Sequence, residues 1–471
     1  MNFFDFEDDQ QETSGTGEGN SPLAEQDIGK IVEQARSGEL SIDLVEELAA
    51  TQYEEGNFEN ALKLLDVLID FSPFSADVWE RKAMALNNLG RYEQALDAFE
   101  RAESLNPWDV ELLVNKGITL DNLGRSDDAF ACLERALAIE PDHEHARLYE
   151  GFIFENREEY ARAVEVFEGI VRNNPESKEA WFELGYCYDM LDRLDEALDA
   201  YDRCVELDPM NASAWYNRGI VLSRLGRHRR AIESYDTALA LDENSSKTWY
   251  NRGNSCVNLG WLDEGVRCYR KALEIHPGDE IAWHNLGNAY EAMGRCGEAI
   301  AAYSRAVEID PEHVQSYFGR GCCYDAMEMF REALDDFTTA LKIEPLSGPI
   351  WHARADAEYR IGRLEDAIAS YRKAVELEPE CGEAWLDLAE TLYEVGDIRA
   401  AYEAVQHTAC LEERFPEPLI LTARLAFLLH RNSAAIKALQ RFLQLFPDFR
   451  RSMEEEFPII RYHPAFKGNT A

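Results

Sequence analysis

The chain has 471 residues, and its 90 acidic against 47 basic side chains leave a net charge of −43. Such a field repels nucleic-acid phosphates and anionic membrane surfaces, since binding to either needs clustered Lys and Arg. No apolar run approaches the roughly 20 residues of a membrane helix. The acidic excess either steers a basic or mixed-charge protein segment towards the chain or simply keeps a long molecule soluble.

Residues 1–20 mix acidic side chains with Gln, Ser, Thr and Gly and predict a disordered acidic tail. Its start, Met1 to Asp9, is acidic and so unlike the basic first region of a secretory signal. Phe3, Phe4 and Phe6 read either as a short docking motif or as part of a plain chain end. Ser21-Pro22 suits an N-cap followed by proline at the first helical position. Leu23, Ile28, Ile31, Val32 and Ala35 share one helical face, so residues 21–41 predict a capping helix.

From Ile42 the chain repeats every 34 residues, with starts at Ala76, Val110, Glu144, Lys178, Ala212, Ser246, Glu280, Val314, Gly348, Gly382 and Pro416. Trp79, Trp181, Trp215, Trp249, Trp283, Trp351 and Trp385 fall at position 4, where they serve as structural anchors, with Leu113, Arg147 and Tyr317 at skipped marks. The best-formed unit reads Trp283-His284-Asn285-Leu286-Gly287 with Tyr290, Ala299, Tyr303, Ala306 and Pro311. This resembles the tetratricopeptide repeat. The resemblance covers residues 42–449 and implies an all-α, right-handed superhelical solenoid of twelve helix–turn–helix repeats forming one elongated body. Pro107, Pro141, Pro175, Pro209, Pro277, Pro311, Pro345 and Pro379 are expected to end the second helices. Departures are Glu243 for one proline, Glu158 and Glu328 for turn glycines, and a twelfth repeat without either signature. Phe449, Met453 and Phe457 then predict a C-terminal capping helix and tail over residues 450–471.

At about 100° per residue, positions 4, 7, 8 and 11 of each first helix form a core face, and positions 2, 5, 6, 9, 12 and 13 lie opposite. The resemblance implies that the second set lines a concave groove. Position 7 holds Lys82, Lys116, Arg218, Arg252, Arg320 and Arg354, expected to pack their stems and reach solvent or a carboxylate. Position 6 holds Asn115, Asn217, Asn251 and Asn285, preceded by Val114, Tyr216, Tyr250 and His284. A carboxamide carries both donor and acceptor, so a row of them can clasp an extended peptide backbone. With first helices about 10 Å apart, each step would span about three peptide residues. The row is similar to the asparagine ladder in the repeat region of O-linked N-acetylglucosamine transferases, although nothing here corresponds to their catalytic domain. Phe182 and Phe318 continue the aromatic row as shelves. Alternatively the asparagines are merely exposed and the rings pack within their own repeats.

Asp121, Glu155, Glu179, Glu183 and Asp189 make the predicted wall acidic in repeats three to five, and Asp325, Asp356, Glu383, Asp387 and Glu390 do so in repeats nine to eleven. Between them lie Arg224, Lys247, Asn254, Asn258 and Asn288, which make the middle of the predicted wall amide-rich and weakly basic. The carboxylate clamp of some family members needs Lys at position 5, which never occurs here. The ten cysteines contain no CxxC, and Cys187, Cys204, Cys256 and Cys323 sit at core-type positions, as expected of a cytoplasmic protein. Cys322-Cys323 reads as one groove and one core thiol, and His143 and His145 as turn residues. No metal, cofactor or catalytic pattern stands out. The expectation is a non-enzymatic scaffold or adaptor that binds an extended, partly basic peptide of a client. The alternatives are an architectural subunit using its ends or outer surface, or the regulatory array of a separate enzyme.

Overall fold

A computed structural model describes residues 28–411 and 415–466; the acidic tail with its phenylalanines, the Ser21-Pro22 cap and residues 467–471 lie outside the described residues. Among the described residues all regular structure is helical, making an all-α repeat solenoid. The chain divides into two compact bodies between Pro209 and Met210, where the unbroken repeat register reads as one.

Within each body the 34-residue ruler becomes a pair of antiparallel helices per repeat. In repeats one to nine the first helix occupies positions 1–13 and the second positions 17–30, as in Ala212–Arg224 with His228–Leu241 and Glu280–Ala292 with Cys296–Ile309. Short polar side chains start many first helices: Asp109, Asn211, Ser245 and Asp279 each accept a hydrogen bond from the backbone N–H three residues on. The turn at position 15 is left-handed throughout. Glycine takes it in most repeats, but Glu158, Asp192, Glu328 and His430 adopt φ of 59°, 58°, 61° and 57° at the same place. The backbone path is therefore set by the packing of the flanking helices, and these four side chains bear the strain.

The position-4 tryptophans are anchored differently from simple space-fillers. The indole Nε1–H of Trp79, Trp181, Trp249, Trp283, Trp351 and Trp385 donates to the carbonyl six residues earlier, in the loop from the preceding repeat, at 2.9–3.1 Å. Two sequence departures thereby become intelligible. Glu243 replaces proline but still offers its carbonyl to Trp249 at 3.0 Å, and Arg147 replaces tryptophan but donates from Nε to the Pro141 carbonyl at 2.7 Å. What these seven joints share is a donor at position 4 and a carbonyl at position 32 of the repeat before, whereas Leu113 brings no donor to the same place.

Position 8 faces the ring at position 24 of the same repeat. A Cβ on Gly287 would stand 2.5 Å from the Tyr303 ring, so the helices approach too closely there for any side chain without a shift. Position-7 cations add a second clamp. Lys82 pairs with Asp66 at 2.7 Å and Lys116 with Glu103 at 2.7 Å, each in the repeat before, while Arg252 and Arg354 lie over the rings of Trp249 and Trp351.

At the C-terminal end the second helix of repeat eleven is shortened to Ile398–Val405 and continues as a 3-10 turn, Gln406–Leu411. The His407 ring stacks on Trp385 at 4.2 Å. The next helices, Glu417–Leu428 and Asn432–Leu445, keep the register. Met453, Phe457, Ile460 and Phe466, from short helices and turns after residue 449, bury themselves against Leu419, Leu439 and Phe442. Phe449 points half into solvent instead. At the other end Ile31 and Ala35 of Ile28–Ser37 are buried with Val45 and Ala61.

The strained turn gives a direct test. Glu328→Gly should raise stability by about 0.5–1 kcal/mol, because glycine takes a positive φ without the steric cost, whereas Gly294→Glu should lower it by a similar amount. Urea unfolding of the two variants beside wild type measures both shifts.

Candidate functional site

The first helices present a repeating contact that the ruler alone does not display. Position 6 of one repeat falls on position 5 of the repeat before, 35 residues earlier. Asn251 Nδ2 donates to the Tyr216 hydroxyl at 3.0 Å and Asn285 Nδ2 to the Tyr250 hydroxyl at 2.8 Å. The same offset joins Arg81 to Glu46 at 3.4 Å, Asn115 to Glu80 at 3.4 Å and His352 to Asp387 at 2.8 Å. These side chains form rungs between successive first helices.

The amides of Asn251 and Asn285 are thus partly spent on the protein itself. Asn217, Asn251 and Asn285 are half-buried, as are Tyr216, Tyr250 and His284. Each position-5 ring leans on the position-24 ring of its own repeat, with centroids 6.2 Å apart for Tyr216–Tyr235, 5.9 Å for Tyr250–Tyr269 and 5.5 Å for His284–Tyr303. One N–H of Asn251 and one of Asn285 are committed to a phenol. Their carbonyl oxygens and second N–H groups remain for a ligand, as do the phenolic hydrogens. Asn115 lies in the other body, paired with a carboxylate.

The run of rungs ends where position 6 of repeat nine is Gly319. There the polar atoms close into a relay. The Tyr303 hydroxyl lies 2.6 Å from Asn288 Oδ1, Asn288 Nδ2 lies 3.0 Å from His284 Nε2, and His284 Nδ1 lies 3.0 Å from Ser316 Oγ. An amide donating to Nε2 leaves the ring proton on Nδ1, facing serine. Burial, then the neighbouring His313, holds the His284 pKa down at about 4, so the ring is neutral at pH 7. A Cβ on Gly319 would stand 2.7 Å from the Tyr303 ring.

The remaining predicted residues divide. Asn254 Oδ1 accepts from the Tyr269 hydroxyl at 2.7 Å, and Asn258 Nδ2 donates to the Asn254 backbone carbonyl at 2.9 Å. Arg224 and Lys247 are exposed at the end and start of their helices. Tyr269 and Ser316 escaped the sequence reading, and Tyr303 entered it only as part of the repeat pattern. The signal was available for the tyrosines, which stand at position 24 where the repeat pattern has phenylalanine.

The first body holds an acidic cluster of its own. Glu155 Oε1 accepts the Cys187 thiol hydrogen at 2.9 Å, and Glu183 lies close enough for the two carboxyls to repel. Burial raises the Glu155 pKa to about 7 and pushes Glu183 well above the usual carboxylate range. Both therefore carry less charge near neutrality than a residue count assigns them. Cys322 is half-buried and Cys323 buried; burial pushes both thiols up to about 12, leaving them protonated.

A raised carboxyl pKa has a definite sign for stability. Between the unfolded value near 4.5 and about 7 the folded chain holds the Glu155 proton more tightly, so this group's contribution to stability falls as pH rises through that window. Glu155→Gln keeps an acceptor for Cys187 and removes the charge. It should raise the melting temperature at pH 8 while changing it little at pH 4.5, measured by circular dichroism.

Three family models, each described as "Tetratricopeptide repeat", match the chain: at residues 114–173, 153–212, 320–376 and 352–409, at 244–312 and 278–344, and at 76–109 and 212–245. No curated protein matches. Solved structures that are similar include MamA from Desulfovibrio magneticus RS-1, from residue 41 on, at 25% identity over 36% of this chain and 96% of that one, with a TM-score of 0.34. YrrB, described as a TPR protein with an unusual peptide-binding site, is 24% identical over 40% of this chain and 96% of its own, with a TM-score of 0.37. The C-terminal part of a TPR repeat-containing protein from Cytophaga hutchinsonii is 18% identical over 50% of this chain and 97% of its own, with a TM-score of 0.45. With the same repeat matched across residues 76–109 and 114–409, well over half its length, the chain belongs to the tetratricopeptide repeat family.

Proposed function

We propose that this protein-interaction scaffold grips an extended peptide segment of a client along the first helices of repeats six to eight, without catalysis. The observation that carries the reading is the row of position-6 amides Asn217, Asn251 and Asn285, the last two of them held in rungs. Tyr216 and Tyr250 hold the amides of Asn251 and Asn285 in place, so a ligand's backbone N–H and C=O meet groups whose side-chain entropy has already been lost. The half-buried rings beside them supply an apolar floor.

Further along the same body Asp325, Asp356, Glu383, Asp387 and Glu390 provide negative charge, which favours a client with basic residues next to the clasped stretch. Arg224 and Lys247 oppose such charge beside the rungs themselves. The segment over repeats six and seven is therefore neutral or acidic, and the basic part lies towards repeats nine to eleven. Binding is of modest affinity, because a flexible segment must be ordered.

A displayed library of random twelve-residue peptides tests this. Enriched peptides should carry basic residues towards one end and little side-chain consensus elsewhere. Their affinity should fall at least about tenfold on changing Asn217, Asn251 and Asn285 together to Ala. The melt of Asn217→Ala alone should match wild type, whereas Asn251→Ala and Asn285→Ala should each cost about 1 kcal/mol for the lost rung. Peptides that bind the triple variant as tightly as wild type would refute the assignment and favour a surface at the ends of the array.

A further inference from the structure

We propose that His352, Asp356 and Asp387 form a binding site for a first-row divalent transition-metal ion that bridges repeats ten and eleven. His352 and Asp356 stand one turn apart on the first helix of repeat ten, Gly348–Ile361, so both project from one face. Asp387 comes from the first helix of repeat eleven, Gly382–Val395, brought there by the same 35-residue offset that builds the other rungs. His352 Nε2 lies 2.8 Å from Asp387 Oδ2 and 3.9 Å from Asp356 Oδ1, and one ligand atom from each residue falls within 4.8 Å of the other two. Metal–nitrogen and metal–oxygen bonds of about 2.0–2.2 Å place ligands roughly 3.3–3.6 Å apart around a tetrahedral ion. Side-chain adjustments of about 1 Å therefore suffice.

The acceptor at position 9 distinguishes this rung from the Asn–Tyr rungs: the place that Asn254 and Asn288 hold there is taken here by a carboxylate. The Tyr371 hydroxyl donates to Asp356 Oδ1 at 2.5 Å, and the Tyr371 ring lies 5.7 Å from the His352 ring. Such an outer hydrogen bond orients a ligand and holds its rotamer. Acids also outnumber cations around the site. Asp325, whose charge bears on Asp356, has a buried Oδ1 with no hydrogen-bond partner, and Glu383 and Glu390 add to the same field. Against these acids stand the His352 ring, the charge of Arg360 acting on Asp325 and that of Arg424 acting on Glu390. A divalent ion would supply the missing positive charge.

One imidazole with two carboxylates suits Zn²⁺, Mn²⁺ or Fe²⁺ better than Ca²⁺, which takes oxygen alone, or Cu⁺, which prefers sulfur. Three protein ligands leave at least one position for water or for a side chain of a bound peptide. The ion takes the place of the proton on His352 Nε2 that now points at Asp387, and that proton leaves to solvent. A proton on that nitrogen competes with the ion, so affinity should increase as pH rises.

The test uses the full chain stripped of metal by a chelator and titrated with Co²⁺ and then Zn²⁺ at pH 7.5. The expected result is saturable binding of one Co²⁺ per chain at micromolar concentration. Its d–d spectrum should lack thiolate charge-transfer absorption and disappear when Zn²⁺ is added. Asp356→Asn, which keeps an acceptor for Tyr371, and His352→Gln should each weaken binding by more than about tenfold while the helical signal is retained. His143→Gln, at a histidine paired with Glu111 in the other body, should bind as wild type. The absence of a saturable Co²⁺ spectrum would overturn the proposal, leaving the three residues as an ion-paired rung; so would binding unchanged in both folded variants.

Discussion

A repeat of two short helices has nothing to bury its outer face against except the next repeat, so the whole structure depends on how each joint is held. At six joints a tryptophan, and at a seventh Arg147, does this with one hydrogen bond from position 4 to a loop carbonyl behind it. A buried or half-buried indole N–H must find an acceptor, and a loop carbonyl preceding a helix has no intrahelical partner; each group solves the other's problem. The exceptions identify which atoms matter. Arg147 keeps the donor without the indole, and Glu243 keeps the carbonyl without the proline ring. The position-7 ion pairs then act on a joint whose geometry is already set, while close approach at Gly287 fixes the helix pair within its own repeat.

The fold was legible because it rests on local rules. Tryptophan at a fixed phase, proline at position 32 and helical periodicity point to the helix pairs, which keep one register through nine repeats. The candidate site was legible only in outline. Periodicity puts Tyr216 and Asn217 on one face of a helix, but it carries no information on how neighbouring helices are offset. Whether Asn251 meets Tyr216 or Asn217 is decided by the joint, and the answer is Tyr216. The amides expected to be wholly available thus proved to be half engaged. Position 24 held a further clue: tyrosine there adds a hydroxyl that needs a partner, which Asn254 and Asn288 supply.

Charge was the property that composition described least well. A count assigns every carboxylate a full unit, yet burial keeps Glu183 and much of Glu155 protonated, and Asp356 shares its neighbourhood with other acids that compete for the same proton. The acidity sensed by a passing segment is accordingly lower at the half-buried face than along the exposed rims. Lone pairs aimed inward and charges aimed outward are different resources, the first suited to hydrogen bonding and the second to steering.

Because a rung takes one residue from each of two repeats, the inherited unit of this surface is the junction and not the repeat. Repeat seven carries both halves of a rung, Tyr250 and Asn251, so a tandem copy of it would pair with itself and lengthen the row at once. Repeat nine carries Phe318 and Gly319, and its duplication would insert a silent step. Growth of the array by copying is therefore neutral for the fold but selective for the face it displays, which couples the history of gene duplication to the grammar of recognition.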